Sequence, residues 1–84
     1  MSRTIYKVVS PLMGTFYQSP DPDADPFVQE GQKVKPGEVV CVIESMKIFT
    51  ELRTEHAGTV ARILVENEEA VMKNQALIEI EVDG

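Results

Sequence analysis

One lysine in this chain stands where an amine could be presented for chemistry. Lys47 lies near the middle of residues 39–52, a β-prone run too long for one strand, since strands in globular domains usually hold about 5 to 6 residues. The run is predicted to fold back at Met46-Lys47. No Asn-Gly, Asp-Gly or Gly pair marks the reversal, although a two-residue hairpin loop asks for positive φ at its centre. A local rule is broken, and such breaks gather at functional sites, where strain is retained because it serves something. The fold-back would make Lys47 the outermost group of a rigid hairpin, with its amine on a long stem held clear of the strands.

The other reactive side chains offer less. Cys41 sits in an apolar run, where a thiol is ordinarily buried and inert. His56 has no second histidine or cysteine at metal-ligand spacing and reads as an exposed turn residue. No nucleophile has a base at useful spacing, and no Gly-rich phosphate loop is present, which argues against an enzyme.

The elements that must position Lys47 are short strands. Residues 5–10, 14–17, 32–34, 58–65 and 76–82 read as strands around the central hairpin. Residues 18–26, with three prolines and three aspartates, have too little apolar surface for either regular structure and read as an exposed loop. The chain also repeats itself. Val28, Gly31, Val34, Gly37 and Ile43 align with Val65, Glu68, Val71, Asn74 and Ile80 at a constant offset of 37, and Gly14-Thr15 aligns with Gly58-Thr59 at an offset of 44. The difference of seven residues falls in the Pro/Asp loop, and the two halves meet at Met46-Lys47. Two such halves predict an all-β, flattened antiparallel barrel or sandwich with pseudo-two-fold symmetry. Alternation places Ile78, Ile80 and Val82 inside, and the offset then places Cys41 and Ile43 inside too; of residues 48–52, only Leu52 is assigned inward.

Eighty-four residues make one small domain, residues 1–84, in a size range where a core is only marginally sufficient. A single cysteine permits no intrachain disulfide. A formal charge of -6 argues against nucleic acid and anionic membranes as partners, both of which attract basic patches. No apolar stretch approaches the roughly 20 residues of a membrane span, and no signal-peptide h-region is visible.

Glu44-Ser45-Met46-Lys47-Ile48 resembles the attachment motif of biotinyl domains, whose usual form is Ala-Met-Lys-Met after an acidic residue. Here Ser45 stands for Ala and Ile48 for the second Met. Ser45 also occurs in lipoyl carriers, whereas Met46 favours biotin, because lipoyl sites more often read Asp-Lys. The resemblance covers nearly the whole chain and implies two four-stranded sheets with the modified lysine on a hairpin at about residues 44–48. It implies covalent biotin on Lys47, with Met46 read by a biotin protein ligase. The insertion at about residues 18–26 looks like the protruding thumb of the biotin carboxyl carrier proteins of acetyl-CoA carboxylase, and Ser19 matches a position where a threonine meets the biotin ureido ring.

That likeness implies a non-catalytic carrier. A biotin carboxylase would load the carboxyl group, and a carboxyltransferase would pass it to acetyl-CoA for fatty acid biosynthesis. It also implies a linker and assembly segment upstream of Met1, through which self-association would run. The compartment expected is the cytoplasm, or a plastid if an upstream transit peptide is removed.

The residues alone leave rival readings open. Lys47 could be an ordinary outward lysine, the thumb a solvated loop, and Glu44 either an electrostatic guide for the ligase or a solvated neighbour of the turn. At the level of function the rivals are a lipoyl domain, a biotinyl domain of another carboxylase, and an unmodified module on the same scaffold.

Overall fold

Strands with one apolar face need a second apolar face to cover it, and two antiparallel sheets do this for each other. The computed structural model describes residues 3–83. The strands are β1 (Ile5–Val9), β2 (Gly14–Tyr17), β3 (Lys33–Val34), β4 (Val39–Ser45), β5 (Ile48–Arg53), β6 (Gly58–Ile63), β7 (Ala70–Val71) and β8 (Ala76–Val82). One sheet runs β1-β8-β6-β3 and the other β5-β4-β2-β7. No ladder joins them, so the fold is a flattened sandwich rather than a closed barrel.

The repeat is written into the hydrogen bonds. Gly31 N–H donates to Val60 C=O and Glu68 N–H to Phe16 C=O, both at 2.7 Å. Gly37 N–H donates to Thr54 C=O and Asn74 N–H to Ser10 C=O, again both at 2.7 Å. The donors differ by 37 and the acceptors by 44, as the sequence offsets require. The backbone agrees: Gly31 and Glu68 have φ of 92° and 69°, Gly37 and Asn74 of 87° and 70°. Even the buried hydroxyls match. Ser10 donates to Leu12 C=O and Thr54 to His56 C=O, so both polar atoms are satisfied inside the sandwich.

The core is built from Phe16, Ile43, Leu77, Ile78, Ile80, Val40 and Val60 with their neighbours. Cys41, Ile43, Ile78, Ile80 and Leu52 face inward as alternation predicts. Val82 does not close over; it is half-buried at the end of β8. Val40 is buried because the register of β4 against β5 shifts between Val39 and Cys41. Val42 points to the outer face and is buried nonetheless; Pro20 of the thumb borders the same clefts. Cys41 is fully enclosed, and burial pushes its thiol up to about 12, which leaves almost no thiolate at neutral pH.

β1 and β3 are each one residue shorter than the sequence reading, and β7 and β6 differ from it more. β7 is absent from that reading, because Ala70-Val71 is too short to show a period; the offset of 37 maps it onto β3. β6 ends at Ile63 rather than residue 65, although Leu64 N–H still donates to Leu77 C=O at 2.8 Å, one step further along the same register.

Candidate functional site

β4 and β5 pair in register up to Ser45↔Ile48, which leaves Met46 and Lys47 as a two-residue loop. Both hold positive φ, 53° and 66°, the geometry whose twist matches the flanking strands. For residues with a Cβ this region costs about 1–2 kcal/mol each. The ladder of β4 with β5 and β2 holds the turn in place, because a hairpin of any other type would splay strands that are fixed farther down.

A side chain assists. Glu44 Oε2 accepts the backbone N–H of Lys47 at 2.8 Å. This settles the role of Glu44 in the free chain: it is a cap for the turn. Replacing it is expected to loosen the tip without unfolding the sandwich. Glu44→Ala should speed hydrogen exchange of the Lys47 amide by about tenfold, the worth of one exposed charge-assisted bond, whereas Glu44→Gln keeps the acceptor and most of the protection. Equal exchange in the parent and Glu44→Ala would remove the cap.

The tip is open. Met46 is 90 % exposed, and Ile48 and Phe49 are exposed beside it. Lys47 is exposed, and among the described residues no carboxylate lies within ion-pair distance of its amine. The two-fold relation puts this hairpin and the outer ends of β1 and β8 at equivalent positions on opposite ends of the molecule.

The thumb is anchored by its own polar contacts. Phe27 N–H donates to Gln18 C=O at 2.8 Å, closing the loop at its base, and Gln18 N–H donates to Asn67 Oδ1 at 2.9 Å, tying it to the β6–β7 turn. Asp21 accepts three bonds within the loop: its carbonyl from Ser19 Oγ and Ala24 N–H, its carboxylate from Asp23 N–H. The loop is exposed along most of its length, but Ser19 is not; at 9 % exposure it is tucked beneath the thumb.

Ser19 and Phe49 border one cleft of about 310 Å³ with Tyr17, Pro20, Val42 and Asn67. Phe49 and Tyr17 pack at a ring separation of 6.3 Å. The structure thus sets Ser19 in a cleft walled by a residue two positions past Lys47, while Met46 and Lys47 occupy the tip above. His56 is an exposed turn residue whose ring meets Tyr6 edge-on at 4.6 Å, and no cluster of metal-ligating side chains exists among the described residues.

Comparison with known proteins adds to this geometry. The family model described as "Biotin-requiring enzyme", the biotin/lipoyl model, matches residues 6–80. The chain belongs to the biotin/lipoyl family. It is 40 % identical over 83 residues to the biotin carboxyl carrier protein of acetyl-CoA carboxylase of Nostoc sp., covering 99 % of this chain and 46 % of that protein. It is 45 % identical over 74 residues to the protein of that name from Haemophilus influenzae, covering 88 % and 48 %. The Arabidopsis thaliana relative named biotin carboxyl carrier protein of acetyl-CoA carboxylase 1, chloroplastic, is 40 % identical over 74 residues, covering 88 % and 26 %. The chain therefore spans about half the length of the bacterial relatives and about a quarter of the plant one.

Sequence reasoning places Glu44 in the motif without its capping role, and it does not assign Phe49. Glu44 as a cap leaves no period or motif of its own, though its place three residues before the lysine matches the span of a turn. Phe49 has no assignment from the sequence because residues 48–52 do not alternate; the register Glu44↔Phe49 puts it on the outer face.

Proposed function

We propose that residues 1–84 form a single biotinyl domain whose Lys47 carries biotin in amide linkage, as the carboxyl carrier of an acetyl-CoA carboxylase. The observation that carries this reading is a lysine at the outermost point of a strained, capped turn, with its amine in no ion pair among the described residues. Met46, the most exposed large apolar side chain among the described residues, is the neighbour a biotin protein ligase reads.

Lys47 Nζ, as the free amine, attacks the acyl carbon of a biotinyl adenylate held by the ligase. The C–N bond forms, the bond from acyl carbon to phosphate oxygen breaks, AMP departs and the ammonium proton passes to a base on the ligase. Bound there, biotin supplies the chemistry of accepting a carboxyl group at a biotin carboxylase and giving it up at a carboxyltransferase. The chain itself catalyses neither step. Its rigid hairpin holds the arm clear of the sandwich, and tethering lets both active sites meet it at high effective concentration. Ser19 borders the cleft below; its hydroxyl proton is committed to Asp21 C=O, so it would receive a ureido N–H through its free lone pairs. Malonyl-CoA formation in the bacterial cytoplasm, or in a plastid as the name of the Arabidopsis relative suggests for that protein, is the setting this role implies.

Intact mass after incubation with biotin, ATP and a biotin ligase tests the reading. One biotinyl increment is expected, mapping to Lys47 after proteolysis and absent from Lys47→Arg. No increment would overturn it, and an increment with lipoate and a lipoyl ligase instead would assign the chain to the other branch of the family.

A further inference from the structure

The thumb divides the outer face of β5-β4-β2 into two clefts, of about 310 and about 540 Å³. Both are bordered by Pro20, Val42 and Phe49, so they adjoin at the thumb; the smaller is the apolar channel, and the larger ends on the paired Glu51 and Arg53. An apolar channel on the face beside a reactive tip is a docking surface in want of an occupant.

The charges beside it say what that occupant is. Residues 8–32 contain no lysine or arginine, and neither do residues 63–72. Asp21 and Glu68 line the smaller cleft; Asp23 and Asp25 follow on the thumb, and Glu66 and Glu69 flank Glu68 on the turn tied to it through Gln18 and Asn67. None of these six carboxylates is in an ion pair among the described residues; the three pairs there are Arg3–Glu81, Lys33–Asp83 and Arg53–Glu51. The chain has 14 acidic and 8 basic residues, so these two loops hold the equivalent of its whole net charge of -6. The equivalent of the net charge thus lies on two loops tied together through Gln18 and Asn67, and two of their carboxylates, Asp21 and Glu68, give the smaller cleft an acidic rim.

We infer that the channel and its acidic rim dock a protein surface that presents an apolar side chain flanked by lysine or arginine, at the mouth of an active site the arm enters. The inference rests on the carrier reading above. Both reactions of that reading handle anions, bicarbonate and ATP at one site and acetyl-CoA at the other, and sites that gather anions have cationic mouths. An acidic rim beside the tip would orient the carrier before the arm reaches in, an effect that salt screens within about 10 Å.

The test uses the biotinylated chain, isolated on avidin, as substrate for the biotin carboxylase of the same cell, with ADP release followed at low and high NaCl. Asp21→Asn/Asp23→Asn/Asp25→Asn keeps the acceptors that fold the thumb and removes three charges. Its KM should rise about tenfold at low salt with kcat unchanged, converging on the parent at high salt. Phe49→Ala should raise KM at both. A control, Glu55→Gln/Glu79→Gln/Glu81→Gln, removes three charges outside the two loops and should leave KM within about twofold of the parent, the residue of a merely global charge effect. Parent-like KM in the thumb variant, or an equal rise in the control, overturns the inference. Failure of the carrier reading shows differently: the parent takes no biotin, or is not turned over by an enzyme that still accepts free biotin, and the docking inference then falls with it.

Discussion

Gly58→Val is expected to leave the chain largely unfolded at room temperature. A Cβ built on Gly58 lies 2.2 Å from the carbonyl oxygen of Glu81 and 2.9 Å from Ile80 Cγ2. The oxygen is backbone of β8, a central strand paired on both sides with β6 and β1, so it cannot retreat without opening a ladder. Overpacking ordinarily costs about 1–3 kcal/mol where side chains can yield; here the obstacle is main chain. At about 0.05–0.15 kcal/mol per residue a domain this small holds about 4–13 kcal/mol, so a loss above about 4 kcal/mol reaches its whole stability at the lower end of that range.

The symmetry adds a sharper test. Gly14 occupies the equivalent place, its Cβ 2.4 Å from Glu44 C=O and 2.9 Å from Ile43 Cγ2. Gly14→Ala and Gly58→Ala should destabilise alike in urea, but Gly14→Ala also displaces the residue that caps the Lys47 turn. With both variants held folded by an added osmolyte, Gly14→Ala alone should slow biotinylation. Unchanged urea midpoints in both would mean that the two halves do not meet through these glycines.

That the glycines could be singled out at all came from the repeat, and the repeat explains most of what the sequence discloses. Offsets of 37 and 44 locate the central hairpin, the insertion and the inward set Cys41, Ile43, Ile78 and Ile80. They hold because backbone geometry is conserved between the halves even where side chains change: Glu68 and Asn74 take the positive φ that Gly31 and Gly37 take in the first half. What stayed hidden depends on contacts between distant segments. Val42 is buried beside an insertion the other half lacks. Val40 is buried through a register shift, which alternation assumes away. Ser19 belongs to a loop whose composition says exposed, yet Asp21 draws its hydroxyl inward. At the site, the turn was legible from its broken rule, Lys47 from its place at the centre of symmetry, and Glu44 only from a distance.

Met46→Asn/Lys47→Gly is expected to raise stability while abolishing acceptance of biotin. Asn-Gly is the pair that positive φ at both loop positions favours. Met46 and Lys47 hold that conformation at φ of 53° and 66°; the two positions together cost about 2–4 kcal/mol, of which the entropy of glycine and the residual preference of asparagine leave about 1–2 kcal/mol to be returned. For a domain of this size each kcal/mol corresponds to roughly 4–8 °C in Tm. Because Glu44 accepts the bond from a backbone N–H that glycine retains, the cap survives and the comparison isolates strain. Met46→Asn alone should gain part of the stability and keep the amine, so its biotinylation rate reports what the methionine contributes to recognition by the ligase. If the double variant melts no higher than the parent, the turn is not strained. The choice of two ill-suited residues would then need no functional reason, and the physical case for Lys47 would rest on exposure alone. A higher Tm joined to complete loss of the adduct would mean that a less stable turn is retained because the amine has to stand at its tip.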